Sequence, residues 1–424
     1  MKIDTLCVQG GYQPKCGEPR QVPIYSSTTF KYDTTEHMAD LFDLKASGYF
    51  YTRLANPTND LVAKKIAALE GGIAAMLTSS GQAAATFAIL NLCSAGDHVV
   101  SSAQIYGGTF NLFGVSLKKL GIDVTFVDPD ADAKTIQKAF RPNTKCVFGE
   151  TVANPSGCIL DIAKFAKIAH KNGVPLLVDN TFPTPILCRP IEHGADIVMH
   201  STTKYMDGHS SQVGGVIVDS GNFDWEKYPD RFAGLVNPDP SYHGLSYTKT
   251  FGKQAFIVKA TAHLMRDFGS IPSPFNAFLL NLGLESLHVR IRRHAESALK
   301  IAKWLKTQKK VAWVNFAGLP DNRYNKLLKK QFDGPSPCGV MTFGIKGGRE
   351  ASVKFMDSLK VIGIVTHVAD AWSCVLHPAS HTHRQLTDEQ LKEAGIPPDL
   401  IRMSIGLEDP DDLIADLKQA LKNV

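Results

Sequence analysis

Lys204 lies in His200-Ser201-Thr202-Thr203-Lys204-Tyr205, directly after the apolar run Asp196-Ile197-Val198-Met199, and a second apolar run upstream, Val174-Pro175-Leu176-Leu177-Val178, ends in Asp179. An amine at the end of a buried strand is desolvated, so its pKa falls and it can form a Schiff base with an aldehyde. A carboxylate at the end of a neighbouring strand can hold a pyridinium nitrogen. The pair reads as the centre of a pyridoxal phosphate enzyme. Most lysines and aspartates are solvated surface residues, so the reading depends on what the other strand ends carry.

Three of them supply what that cofactor needs. Ala74-Ala75-Met76-Leu77-Thr78 reads as a strand running into Ser79-Ser80-Gly81-Gln82-Ala83-Ala84, where small residues open a helix whose free amides can receive a phosphate dianion. Ser201 and Thr203 add hydroxyls beside Lys204. Tyr106 follows the strand His98-Val99-Val100-Ser101 and opens Tyr106-Gly107-Gly108-Thr109, an aromatic face with room for a flat ring. Asn154, in Glu150-Thr151-Val152-Ala153-Asn154-Pro155, again stands just past an apolar strand, Cys146-Val147-Phe148.

The strands must belong to a sheet large enough to bury them. The chain has 424 residues, more than one core usually holds, so two domains are expected. Residues 1–58 are rich in Gly, Pro, Ser and Thr and read as an extended arm that buries itself against a partner subunit. Residues 59–260 alternate helical stretches, such as Leu61 to Leu69 ended by Gly71-Gly72, with short apolar strands at βαβ spacing. This is an α/β, doubly wound, mostly parallel sheet. Residues 261–424 read as a smaller α+β domain, entered through a loop-rich stretch with Pro238, Pro240, Pro272 and Pro274. It holds a basic helix from Leu284 to Leu305, strands at Gly339 to Ile345 and Ile401 to Ile405, and a last helix capped by Asp409 with Pro410 at its first position.

Composition narrows the class. A net charge of +5 over this length gives no case for nucleic acid. The eight cysteines lack metal-ligand spacing or a compact disulfide pattern, which favours a reducing compartment. With no signal-peptide pattern at the start and no membrane-length apolar run, a cytoplasmic enzyme is expected. His377, His381 and His383 invite a metal reading, but a polar rim loop fits them better and the chemistry requires no metal. No G-x-G-x-x-G or P-loop follows an early strand, against a nucleotide-binding dehydrogenase.

Taken together, Tyr51-Thr52-Arg53 with Asn56-Pro57-Thr58, Ser79-Ser80-Gly81, Tyr106-Gly107-Gly108-Thr109, Val178-Asp179-Asn180-Thr181, Ser201-Thr202-Thr203-Lys204-Tyr205 and the segment Ile401 to Glu408 resemble the Cys/Met-metabolism family of fold-type I pyridoxal phosphate enzymes over nearly the whole chain. Within it, Gly214 to Gly221, Pro240-Ser241-Tyr242-His243-Gly244, Ser273 to Phe278 and His377-Pro378-Ala379-Ser380 are similar to the O-acetylhomoserine sulfhydrylases more than to the cystathionine or methionine lyases.

The resemblance implies a role for each residue. Lys204 binds pyridoxal 5'-phosphate covalently and shuttles protons, Asp179 keeps the pyridine nitrogen protonated, and Tyr106 stacks on the ring. Gly81, Gln82, Ser201 and Thr203 hold the phosphate from one subunit, with Tyr51 and Arg53 reaching across from another. Arg402 grips the substrate carboxylate, helped by Asn154, with Tyr51 and His367 also toward the substrate. The implied reaction is γ-replacement, O-acetylhomoserine and sulfide giving homocysteine and acetate in methionine biosynthesis, by a homotetramer of dimers with shared sites. Free sulfide, methanethiol and a sulfur-carrier protein remain open as donors. A methionine or cystathionine γ-lyase is the alternative, weakened because methionine γ-lyases carry a cysteine where Gly108 stands; a non-catalytic binding protein on the same fold is more remote. His367 departs from the family pattern, which places Asn or Ser there.

Overall fold

The computed structural model describes residues 1–381 and 396–424; His383 lies outside them. Seven strands form one sheet: Ala74–Thr78 (β1), His98–Ser102 (β2), Asp123–Val127 (β3), Thr144–Glu150 (β4), Leu176–Asp179 (β5), Ile197–Ser201 (β6) and Gly215–Asp219 (β7), in the order β1-β7-β6-β5-β4-β2-β3. Only β7 runs against its neighbours. The carboxyl ends of the other six therefore open on one edge, where ligands of such sheets bind.

Both faces of this sheet are buried, which is why its strands read as continuous apolar runs. Along β5, Leu176 and Val178 enter one core with Val147, Val198 and Val216, while Leu177 enters a second with Phe148, Ile197 and Ile217. Helices Pro57–Glu70 and Ile162–Lys171 cover the first face; Gly81–Leu90 and Ala255–Lys259 cover the other.

The long helix runs Pro274–Lys306, starting ten residues before the expected Leu284. Ser273 caps it, its Oγ accepting from Asn276 N at 3.1 Å. Gly283 interrupts the apolar pattern for a packing reason: a Cβ there would fall 2.4 Å from the carbonyl oxygens of Met206 and Asp207. Two turns further on, buried Arg290 donates to Tyr205 O at 2.9 Å and Gly283 O at 2.6 Å. The turn that follows Lys204 is thus clamped to the helix at two points.

A second sheet holds Val311–Asn315 (β8), Val340–Ile345 (β9), Gly363–Ile364 (β10), Cys374–Leu376 (β11) and Leu400–Ser404 (β12) in the order β10-β11-β12-β9-β8. It packs on the second half of the long helix and on Gly348–Asp357 and Pro410–Leu421. The last helix forms as expected, Asp409 Oδ1 accepting from Asp411 N at 2.8 Å while Leu413 and Leu417 are buried.

Two readings need amending. The loop-rich stretch contains one-turn helices at Ala233–Val236 and Tyr247–Phe251, too short to leave a periodic signal, and a continuous helix Ala255–Phe268 whose middle, Ala260–Met265, widens to a π-helix and so breaks the 3.6-residue period. The N-terminal segment is not extended throughout: Ile3–Gln9 is a helix whose Cys7 is buried in the first core, and Thr35–Phe42 is a second. All eight cysteines are free thiols. Among the described residues no helix is long and apolar enough to cross a membrane.

Candidate active site

At the carboxyl edge of the large sheet, Lys204, Asp179, Gly81, Gln82, Tyr106, Ser201, Thr203, Asn154 and Arg402 line one cavity of about 220 Å³. Six elements distant in sequence meet there, and each has a reason to be placed where it is.

Lys204 sits in the turn after β6. Burial and the Arg402 guanidinium hold its amine down to about 8. Roughly a tenth of it is then neutral at pH 7, against a negligible fraction for an ordinary lysine. Its Nζ lies 3.2 Å from His367 Nδ1.

Asp179 ends β5, open to the cavity and enclosed on its other sides. Thr181 N and Oγ1 donate to its Oδ1 at 2.9 and 2.5 Å, and Thr181 Oγ1 in turn accepts from Ser201 N at 2.9 Å. One threonine so ties the ends of β5 and β6. Burial raises the Asp179 carboxyl above its ordinary value, opposed by the Thr181 bonds and by His200. Behind them His200 Nε2 meets Glu70 Oε1 at 2.6 Å and Asn180 Nδ2 donates to the same oxygen at 2.9 Å, all buried.

Glu150, in register with Asp179 on β4, had no assigned role in the sequence. Its Oε1 accepts from Tyr106 N at 2.6 Å and its Oε2 from Asn154 N at 3.4 Å, so one buried carboxyl anchors both loops. Burial and the Asp179 charge push it well above the usual carboxylate range. The signal for it was position, the last residue of a buried strand, and the same holds for Thr181 two residues past another.

At the opposite end, Ser80 Oγ accepts from Ala83 N at 3.1 Å and caps the helix Gly81–Leu90. A Cβ on Gly81 would lie 2.6 Å from Ser201 Cβ; its absence lets the helix amides come up to the end of β6. Thr203 is less free than expected, its hydroxyl donating to Gly214 O at 3.2 Å and accepting from Gly214 N at 3.0 Å.

Arg402, from β12 of the second sheet, is buried, with NH1 donating to Asn154 Oδ1 at 3.3 Å and NH2 to Thr366 O at 3.3 Å and His367 O at 3.0 Å. These bonds fix the guanidinium plane at the cavity wall. Tyr51 and Arg53 are elsewhere: the Arg53 guanidinium lies 5.1 Å over the Tyr51 ring, and both line a separate groove with Phe42, Phe50, Tyr242 and Arg266. His377 bonds Ser380 Oγ and Pro398 O through its two ring nitrogens, each at 2.8 Å, and braces its loop.

The residues fit pyridoxal phosphate. The N-terminal amides of the helix Gly81–Leu90, an amine and an enclosed carboxylate face the same space, the donor set that a phosphate, an aldehyde and a pyridinium nitrogen require.

Relatives agree with the geometry. The chain is 44% identical over 426 residues to O-acetyl-L-homoserine sulfhydrylase 1 of Thermus thermophilus, covering 99% of this chain and all of that protein. It is 44% identical to the homocysteine synthase of Schizosaccharomyces pombe, covering 99% and 98%. A crystal structure of an O-acetylhomoserine (thiol)-lyase from Campylobacter jejuni, which carries a pyridoxyl-lysine phosphate, superposes with a TM-score of 0.94 at 38% identity over the whole of both chains. The large, mostly parallel sheet with its smaller companion is the fold-type I arrangement. With residues 4–422 matching the family as a whole, this chain belongs to the Cys/Met metabolism PLP-dependent enzymes.

Proposed function

We propose that the protein catalyses γ-replacement on an O-acylated homoserine, with O-acetyl-L-homoserine and sulfide giving L-homocysteine and acetate. The observation that carries this is the cavity itself, in which a lysine of lowered pKa, an enclosed aspartate and a preset guanidinium face one another. The named relatives supply the choice of substrate. A matrix of O-acetyl-, O-succinyl- and O-phosphohomoserine with and without sulfide, run beside methionine and cystathionine, tests it. Turnover of methionine or cystathionine with no sulfide-dependent homocysteine would instead make the protein a γ-lyase.

When bound, the cofactor supplies an aldehyde for covalent linkage to an amine and a ring that takes up electrons released at carbon. Lys204 would be its attachment point and, with its amine free, the base that moves protons at the substrate's Cα and Cβ. The amides of Gly81 and Gln82 and the Ser201 hydroxyl would bind the phosphate, joined by the Thr203 hydroxyl once its proton turns from Gly214 O. Arg402 takes the substrate carboxylate as a planar fork, and Asn154 holds that fork in place. Tyr106 covers the ring and keeps water from one face.

Asp179 holds the ring nitrogen in its protonated form. Loss of a charge-assisted bond of that kind costs about 1.5–3 kcal/mol, or roughly one to two orders of magnitude in rate. Asp179→Ala is expected to keep cofactor and lose that much kcat; a kcat near wild type would remove the role.

We further infer that residues 1–58 serve a neighbouring subunit, that 59–260 and 261–424 act as cofactor and substrate-clamping domains, and that dimers with shared sites pair into a tetramer. The support is that Tyr51 and Arg53 stand outside the Lys204 cavity of their own chain. Mixing inactive Lys204→Ala and Arg53→Ala proteins, with exchange verified by mass spectrometry and cofactor limiting, is expected to recover activity, since a hybrid holds one intact site. No gain in verified hybrids would defeat the shared site.

A further inference from the structure

Among the described residues Lys204 forms no ion pair with a carboxylate; its partner is His367 Nδ1 at 3.2 Å. Nδ1 of a neutral imidazole accepts only when the ring proton is on Nε2. His367 Nε2 is buried without a hydrogen-bond partner, and Asp370 Oδ2 lies 3.5 Å from it. Asp370 is itself buried and fixed, Oδ1 accepting from Trp372 N at 2.9 Å and Oδ2 from the Ser210 hydroxyl. The imidazole thus has the amine at one ring nitrogen and the carboxylate at the other, the arrangement in which a base is oriented by a third group.

We propose that His367 is a positioning and proton-relay residue for Lys204, taking a proton from the Lys204 ammonium when that amine is free and returning it later, with Asp370 balancing the imidazolium. The Nζ–H bond breaks as the Nδ1–H bond forms; the charge on the two side chains stays at one positive, and no further reactant enters. An Asn or Ser at residue 367 could hold the amine but could not take up its proton. The proposal rests on Lys204 being the cofactor attachment point and is independent of the γ-replacement reading.

The other groups facing this pair are Asp207 in the turn after β6, Arg402 on β12 and Cys374 on β11, whose Sγ donates to His367 O at 3.3 Å. Burial, the Lys204 charge and, least, Arg402 push His367 below its ordinary value, while Asp370 and Asp207 pull it up. Two bases sharing one proton titrate as a pair, with two macroscopic steps. Between those steps part of the population carries the proton on His367 and leaves Lys204 neutral and reactive.

The test uses protein stripped of cofactor. The rate at which it captures added pyridoxal phosphate is followed by absorbance from about pH 5 to about pH 10, and the site is mapped by borohydride reduction. Wild-type rates are expected to fall in two steps as the pH drops, with a shelf between them. His367→Asn is expected to show one step only, running roughly tenfold below wild type at the acid end of the shelf and matching it at about pH 10. Asp370→Asn keeps the imidazole and loses its counter-charge, so its shelf is expected to sit lower. Identical profiles for wild type and His367→Asn, or uniform slowing at every pH, would overturn the relay. Capture by a lysine other than Lys204 in the wild type would overturn the attachment point and the relay with it, whatever the substrate matrix shows.

Discussion

Lys204→Ala is expected to abolish turnover and to leave the cofactor without a reducible covalent link to the chain. Proton transfer by a positioned side chain contributes about 10²–10⁴ in rate, and this variant loses the attachment point as well, so a fall of at least roughly a thousandfold is expected. The cradle does not depend on Lys204: Ser80, Thr181 and Glu150 hold their strand ends through bonds that bypass it. The variant is therefore expected to fold and to bind pyridoxal phosphate noncovalently. Peptide mapping after borohydride reduction of the wild type checks the site directly, and label on another lysine would remove Lys204 from the reaction.

Arg402→Ala carries the second large effect. The guanidinium is buried and prealigned by Asn154 and two carbonyl oxygens, so its removal leaves a substrate carboxylate desolvated and unpaired. Truncating one partner of a buried charge pair costs about 2–5 kcal/mol, expected here as a fall in kcat/KM of roughly 30-fold to several thousandfold. Arg402→Lys is expected to recover little, because a point charge lacks the planar fork. Steady-state kinetics with a kcat/KM within about threefold of wild type would take Arg402 out of the substrate site.

Much of the site was legible because its residues stand at the ends of strands that are apolar on both faces. Lys204, Asp179 and Asn154 each follow such a run, and a parallel sheet brings those ends to one edge. Arg402 was legible only through a motif, since its strand belongs to another sheet and no local pattern says which cavity it meets. Glu150 and Thr181 escaped because they act on backbone and side-chain donors of the fold, and a buried carboxyl that anchors loops looks in sequence like any strand-ending glutamate. The His367 contact was out of reach: residue 367 was marked as a departure, but its distance to Lys204 depends on where the second sheet is docked. For the fold, the long helix was read short because Gly283 serves a backbone contact instead of the helix pattern.

The division of the cavity between two sheets bears on how preparations of the protein are quantified. The phosphate cradle, Asp179 and Lys204 belong to the large sheet, whereas Arg402 comes from the smaller one and Thr366 and Val368 from the loop between its strands β10 and β11. Arg402 reaches Asn154 across 248 residues of chain. On the proposed roles, a molecule in which the smaller sheet has frayed while the large one stays intact would keep the large sheet's share of the cofactor site and lose the group that takes the substrate carboxylate. Such molecules would be coloured and inert. Absorbance of the bound cofactor therefore counts folded large sheets, and only titration of working sites counts enzyme; specific activities normalised to colour would understate the intact protein in proportion to the frayed fraction.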